Sequence, residues 1–405
     1  MSWFASLRSG QWGTLLREPD FRRLWYVGIA VYVVRWLEIL AVGVFTYQKT
    51  GSAFLVAMLT MLRMLPLGLF GAFFGAVADR VERRGALIFI VAASLAVSVV
   101  LAVIAVSGHL EVWHLAVASF IGGVGWATDN PVRRVMIGQV AGPDRMSGAM
   151  SLDVGTNNAS RMTGPMVGGA LLALTGIAGA FALCAVLYLF GLVAAMRVRH
   201  QDSGAPALAA PVLAGVMESI AVARRDPRLL GTLLITLIFN LFGWPFTSMV
   251  PVIGQDRLGL AAEGIGVLAS MDGVGSLLGA MAVGVLARPS NYRLLYVGGV
   301  AGFLVMMPVF ALSTSAVLGG GALLFSGFAQ AGFSIMQATI IYVASPPQMR
   351  SRMLGLLTVC IGVAPVGFAH VGLLADAIGA HRAGPLMAFE GLVALALTWR
   401  WWRAI

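Results

Sequence analysis

Long apolar runs, broken by short charged or glycine- and proline-rich stretches, recur from one end of the chain to the other. They predict twelve helices over roughly 24–46, 53–78, 86–107, 112–137, 148–172, 176–197, 228–250, 263–287, 294–314, 317–342, 352–375 and 384–402. At about 1.5 Å per residue, runs of this length cross the roughly 30 Å hydrocarbon core of a bilayer. No alternating ten-residue strand pattern competes with them, and a backbone in lipid must satisfy its own polar groups, so a helical bundle is the spanning architecture expected. The fold class predicted is an all-α membrane protein of twelve transmembrane helices.

The longest interruption, 198–227, begins Arg-His-Gln-Asp-Ser-Gly-Ala-Pro and runs through an Ala/Pro-rich piece into Val212, Val216, Met217 and Ile220, set opposite Glu218 and Arg224. That pattern predicts a flexible linker and then a short amphipathic helix on the membrane surface. It divides the chain into an N-terminal six-helix half (1–197), a linker (198–227) and a C-terminal six-helix half (228–405). The halves echo each other. Gly75, Asp79 and Arg84 after the second span match Gly284, Arg288 and Arg293 after the eighth, and Pro143 to Ser151 matches Pro347 to Gly355, at offsets of about 209 and 204 residues. Pseudo-symmetric duplication of this kind builds many secondary transporters, with the substrate site near mid-membrane between the repeats.

Composition agrees: the 405 residues are 59% hydrophobic and 11% charged, too little polar surface to cover a soluble globule. The net charge of +10 does not mark a nucleic-acid partner, because the arginines are scattered at the ends of the apolar runs. One set of alternate connections, with both termini, carries arginine after arginine, among them Arg22, Arg23, Arg133, Arg134, Arg197, Arg199, Arg350 and Arg352. The other set holds Lys49, Arg257 and Arg382. The positive-inside rule then puts both termini in the cytoplasm. Cys184 and Cys360 fall inside apolar runs and read as small buried hydrophobes. There is no phosphate-binding glycine loop, no metal-spaced Cys/His cluster and no Ser/His/Asp set, so no cofactor, no metal and no enzyme activity are expected. No small-residue cleavage site follows a short apolar core, so no removable signal peptide is expected either.

Gly75 to Arg84 packs five ionisable residues, Asp79, Arg80, Glu82, Arg83 and Arg84, into six positions. Each would cost roughly 2.5–3.5 kcal/mol in hydrocarbon, so this is an aqueous turn between the second and third spans. The pattern Gly75-x-x-x-Asp79-Arg80-x-x-Arg83-Arg84 in a six-plus-six chain resembles the signature loop of the major facilitator superfamily. Gly164-Pro165-x-x-Gly168-Gly169 in the fifth span resembles a helix motif of antiporters in that superfamily. The start Glu18-Pro19-Asp20-Phe21-Arg22-Arg23-Leu24-Trp25, together with Asp129-Asn130-Pro131-x-Arg133 and Arg350-x-Arg352, is similar to the enterobactin-exporter and macrolide-efflux branch. The resemblance implies a proton-coupled exporter of an amphipathic small molecule, siderophore-like or drug-like, acting as a monomer in a bacterial cytoplasmic membrane. An importer of a vitamin or organic acid, or a non-transporting receptor or assembly factor on the same scaffold, stay open as alternatives. The resemblance also implies that Asp79, Arg83 and Asp129 latch the outward-open state, with Asp153 nearby. The alternative is that these charges only anchor the topology. Glu82 departs from the glycine common at its place.

Charges deep in a span are functional candidates by default. Arg35 and Glu38 lie about 11 and 14 residues into the first span, Arg63 about 15 into the second and Arg161 about 13 into the fifth, so the four share a layer near mid-depth. Arg63 or Arg161 could reach Glu38 from a neighbouring helix. With Glu38 as the titrating group, and Asp272 in the eighth span as a second candidate, this layer would couple protons to transport. Alternatively it is a satisfied structural network. Three arginines against one glutamate would suit an anionic or polyhydroxylated substrate, unless Asp129 and Asp153 absorb the excess. In the C-terminal half, Asn240, Trp244, Gln330 and Gln337 are substrate-site candidates. Phe242, Trp244 and Phe246 around Pro245 would form an apolar wall, although aromatics in spans more often face lipid or pack. Glu390 is a further polar insertion, and a lone His370 is more often packed or hydrogen-bonded than a ligand.

Overall fold

The computed structural model describes residues 11–78, 82–199 and 212–405. A short helix, Gln11–Arg17, precedes spans one to four, which are Pro19–Thr50, Ala53–Ala78, Arg83–Val106 and Val112–Ala141. Spans five and six form the rod Met146–Met196, bent at Gly176. Span seven runs from Pro227–Ile238 through a wide turn, Phe239–Gly243, and a tight turn, Trp244–Met249, into Val250–Asp256. Spans eight, nine and ten are Ala262–Leu286, Tyr292–Leu312 and Ala316–Ala344. Span eleven is Arg350–Ile361 continued by Ala364–Ile378, and span twelve is Ala380–Leu397. Among the described residues there is no strand, and eight helices are long and apolar enough to cross a membrane. The helix order follows the twelve spans expected, and the fold is an all-α membrane bundle.

Local chemistry sets the ends and the breaks. Span one starts with Pro19, whose missing N–H is not needed there, and stops at Gly51, whose φ of 66° suits a residue without Cβ. Span seven starts at Asp226, whose side chain accepts from the Arg228 N–H at 2.9 Å. Pro245 and Pro251 remove two donors from its ladder, and the helix answers with the wide and tight turns around Trp244. One expectation needs correction. The gap between spans five and six shrinks to Gly176, whose φ of 68° and ψ of −169° turn the chain within one residue. On the linker helix, Val212–Arg225, Met217 is 63% exposed and Ile220 packs against the bundle. Its small residues Ser219 and Ala223 are buried. Ala223 joins Leu229, Leu233, Met353 and Leu356 of spans seven and eleven, and Glu218 pairs with Arg352 at 2.5 Å.

Each half has its own core. Leu24, Val34, Leu37, Leu87 and Val132 centre the N-terminal one, and an aromatic set, with Phe239 near Phe333 and Tyr296 stacked on Phe333, centres the other. Between the halves, contacts begin at the end of the bundle away from the termini. There the Tyr47 hydroxyl donates to Asp256, and Cβ atoms added at Gly43 and Gly372 would meet Pro251 at 3.2 Å and Ala57 at 3.0 Å. They continue to mid-depth, where Gly68 meets the Gly362 carbonyl and Gly273 meets the Arg161 carbonyl. Nearer the termini, Gly155 and Gly355 face open space, and Val154 is 45% exposed. The halves thus meet at the far end and at mid-depth.

Within the C-terminal half, spans eight and ten cross backbone to backbone. A Cβ at Gly327 would lie 2.0 Å from the Asp272 carbonyl oxygen, and one at Gly275 would lie 1.8 Å from that of Leu324. Small residues at such crossings supply the packing that lipid cannot drive. Gly327→Val is therefore expected to destabilise the fold by about 1–3 kcal/mol or more. Thermal unfolding of the detergent-purified protein reads this directly, and an unchanged midpoint would contradict the crossing.

Candidate functional site

Spans one, two, five, seven, eight and ten converge on a central cavity of ≈ 90 Å³. Its wall is mostly apolar: Trp36, Leu40, Val56, Pro165, Trp244 and Leu323 are part of it, with Arg161 and Asp272 as its charges. Arg161 of span five and Asp272 of span eight form a salt bridge between the halves, with side chains 11% and 14% exposed. The same guanidinium donates to Gln330 of span ten and lies over the Trp36 ring at 5.2 Å. Trp36 in turn donates to Asn157 at 3.3 Å. One oxygen of Asp272 and the Nε of Arg161 are buried without a hydrogen-bond partner. The bridge is thus close but under-satisfied.

A second pair lies in the N-terminal half. Glu38 takes Arg63, which also donates to the Arg35 carbonyl at 3.2 Å. Gly122 makes room for this guanidinium, since a Cβ there would stand 2.9 Å from it. The small cavity beside Glu38 shares Ile39, Gly43, Val56 and Thr60 with the central one. Of the four mid-layer charges, Glu38 meets Arg63, Arg161 turns to the other half, and Arg35 lies over the Trp126 ring at 4.5 Å. The layer therefore does not hold the surplus of three arginines that the sequence suggested. With Asp272 counted, two of them are paired.

A third cluster lies nearer the termini. Asp153 of span five receives Arg133 at 2.5 Å, Arg134 at 3.0 Å and the Tyr32 hydroxyl at 3.0 Å. Asp129 approaches Arg133 at 3.4 Å, its two oxygens lacking hydrogen bonds. Arg133 is 0% exposed, and Gly28 opens the space for it, as a Cβ there would lie 2.6 Å from the guanidinium. Counting Arg133 as a loop charge was therefore mistaken: it is the buried hub of the N-terminal half. Its spacing of four from Asp129 was the available signal. Tyr32 gave none.

The remaining candidates are spread out. Asn240 is buried and donates to the Thr236 carbonyl at 2.9 Å, away from the cavity wall. Gln337 is half-buried with an unpartnered oxygen. Of the three aromatics of span seven, Trp244 lines the cavity and sits edge-on to Phe368, Phe246 packs in the core against Phe310, and Phe242 meets His370. His370 pairs with Glu390 at 2.8 Å. Gly75 lies in span two, Arg83 and Arg84 open span three, and Arg84 donates to the Met196 carbonyl at 2.9 Å. Asp79 and Arg80 lie outside the described residues.

Buried ion pairs around an apolar cavity where the two halves meet are the geometry of a solute carrier, and the comparisons with known proteins agree. A sequence model of transmembrane secretion effectors matches residues 10–402. The chain belongs to that family, within the major facilitator superfamily. It is a multi-pass membrane transporter of small molecules and not an enzyme. It is 23% identical over 354 residues to macrolide efflux protein A of Streptococcus pyogenes, covering 85% of this chain and 86% of that one. It is 25% identical over 365 residues to the multidrug efflux pump Tap of Mycolicibacterium fortuitum, covering 87% of each. It is also 26% identical over 257 residues to the enterobactin exporter EntS of Shigella flexneri, covering 64% of this chain and 58% of that one. Among solved structures, the nucleoside transporter NupG superposes with a TM-score of 0.77 at 10% identity, over 94% of this chain and 99% of that one, which speaks for the fold alone.

In this transporter the glycine-proline motif of span five serves two seams. Cβ atoms at Gly164 and Gly168 would meet span one, 2.7 Å from Trp36 and 3.1 Å from the Leu37 carbonyl. One at Gly169 would meet span eight of the other half, 2.5 Å from the Ala262 carbonyl, and the Pro165 carbonyl lies 2.6 Å from where a Cβ on Gly266 would be. The motif lets span five touch both, which is what brings Arg161 within reach of Asp272. For the buried hub, Arg133→Ala is expected to cost about 3–5 kcal/mol, because it strands Asp153 and Asp129 without their shared cation. Unfolding of the purified variant measures it, and a loss below about 1 kcal/mol would show that the hub is dispensable.

Proposed function

We propose that this transporter exports an amphipathic small molecule, drug-like or siderophore-like, in exchange for protons. In this reading it works as a monomer in a bacterial cytoplasmic membrane with both termini inside. The observation that carries the reading is the Arg161–Asp272 bridge, which ties opposite halves together in the wall of the central cavity. A proton on Asp272 removes the Coulomb attraction across the seam and leaves Arg161 to Gln330 and Trp36. The halves are then free to rock, and Arg161 is free to meet a polar group of the solute. Loss of the proton restores the bridge. The names of the relatives, a macrolide efflux protein, a multidrug pump and a siderophore exporter, support outward transport of bulky, partly apolar solutes.

Glu38 is the second proton site, since its cavity shares walls with the central one while its partner Arg63 belongs to the same half. The Gly75–Arg84 turn, with Asp129 and Asp153 deeper in the half, is assigned to the latch of the outward-open state. Trp244, Gln330 and Gln337 are assigned to the solute path from the C-terminal half, whereas Asn240, spent on the Thr236 carbonyl away from the cavity, is not.

Two substitutions test the coupling. In proteoliposomes with an imposed pH gradient, Asp272→Asn is expected to lose most of its pH-driven transport of an amphipathic dye while keeping solute counterflow. Undiminished pH-driven transport would remove Asp272 from the coupling. Glu38→Gln is expected to reduce pH-driven transport while leaving dye binding measurable, and a wild-type rate would reduce the Glu38–Arg63 pair to a structural tie. Comparing inside-out with right-side-out vesicles in the same assay gives the direction, and net movement toward the cytoplasmic face would replace export with import.

A further inference from the structure

Four arginines converge where three spans end. Arg23 is the fifth residue of span one, Arg84 the second of span three, and Arg197 and Arg199 follow the last residue of span six. With Met196 and Val198 they line a pocket in whose wall, among the described residues, there is no acidic side chain. The nearby acid is already engaged: Asp20 takes Arg23 at 2.7 Å and the Arg199 backbone N–H at 3.1 Å. Arg84 donates one Nη to the Met196 carbonyl, but its Nε is buried without a hydrogen-bond partner. Arg197 and Arg199 are exposed, and among the described residues their guanidinium groups have no hydrogen-bond or ion-pair partner.

We infer that this pocket binds the phosphate of an anionic phospholipid headgroup. A topological excess of arginine explains why positive charge lies at this end of the bundle. It does not explain why arginines at the ends of three spans gather on one pocket. A phosphodiester offers the paired oxygens that guanidinium forks recognise. The flanking surface argues for a lipid and against a soluble anion. Phe89 on span three, and Phe190 and Met196 on span six, are 74%, 49% and 47% exposed. Phe89 and Phe190 lie one to two turns deeper than Arg84 and Arg197. Phe190 is braced by Tyr26 of span one, with ring centroids 5.6 Å apart. An apolar face therefore runs from the pocket into the membrane, where acyl chains would lie. The site is apart from the solute cavity and shares only Arg84 with the turn between spans two and three.

Native mass spectrometry and thermal unfolding of the purified full-length transporter test this, with phosphatidylglycerol and phosphatidylethanolamine added in turn. Wild-type protein is expected to retain and be stabilised by phosphatidylglycerol in preference to phosphatidylethanolamine. The double variant Arg197→Gln/Arg199→Gln is expected to bind phosphatidylglycerol roughly ten- to thirty-fold more weakly, following the contribution of an arginine near an anionic headgroup. Arg224→Gln/Arg225→Gln, which neutralises an exposed basic pair elsewhere, is expected to bind as wild type does, and inorganic phosphate alone is expected neither to stabilise the protein nor to displace the lipid. Equal phosphatidylglycerol binding by the pocket variant would overturn the site. So would an equal loss in the control pair, which would mean unspecific attraction, and so would displacement by inorganic phosphate, which would make it a soluble-anion site. Arg199→Gln alone gives the same readout if the double variant does not fold.

Discussion

A charged side chain at mid-depth in a membrane persists only beside its counter-charge, and here the central partners, Arg161 and Asp272, belong to different halves of the molecule. Separating them while both are charged leaves two ions in a poorly polarisable setting, at a cost of several kcal/mol each. The pair therefore holds the two halves together while both groups are charged. The other buried pairs obey the same constraint with a different result. Glu38 with Arg63, and Asp153 with Arg133 and Arg134, stay within the N-terminal half and tie its spans to one another. One kind of pair fixes a half; the other fixes how two halves meet.

Ion pairs of this size need space as well as charge, and the sequence supplies it with glycine. Gly28 faces the Arg133 guanidinium at 2.6 Å from its absent Cβ, and Gly122 faces Arg63 at 2.9 Å. At the seam the glycine acts on the backbone: a Cβ on Gly273 would meet Met162 N at 2.6 Å and the Arg161 carbonyl at 2.7 Å. Spans five and eight can therefore touch one residue from the pair they carry. A side chain at 273 would lengthen the bridge by pushing the helices apart, so the glycine and the ion pair act as one device.

The sequence announced the spans because their length and hydrophobicity are set by the bilayer, and it announced the deep charges because each is anomalous there. It did not announce the partners. Counting residues from a helix end gives the height of a charge but not which way it faces, so Glu38 had two possible arginines and Arg161 seemed to belong with it. Arg161 meets Asp272 only because the halves dock, and docking is invisible to a pattern read one helix at a time. Arg133 was hidden for a different reason. A charge close to the end of an apolar run looks like a topological anchor, and span four in fact continues to Ala141, which leaves Arg133 inside the bundle. The break in span seven was legible in Pro245 and Pro251, while its consequence, Phe246 turned into the core and Trp244 toward the cavity, was not.

That break explains how irregular backbone can line a cavity at membrane depth. Loosening the ladder around Trp244 frees carbonyl groups that hydrocarbon would not tolerate. The chain uses its own hydroxyls to cover them: Thr247 donates to the Trp244 carbonyl at 2.7 Å and Ser248 to that of Pro245 at 2.7 Å. Both hydroxyls are cavity residues, and both donors are already spent on the backbone. What span seven brings to the cavity is therefore chiefly the Trp244 face and the shape of the wall. The charges of that wall are Arg161 and Asp272 across the seam, whose Nε and one carboxylate oxygen are buried without a hydrogen-bond partner. The division follows from the two halves: an ion-paired one that brings the cation, and a bent one that shapes the apolar wall and brings the carboxylate.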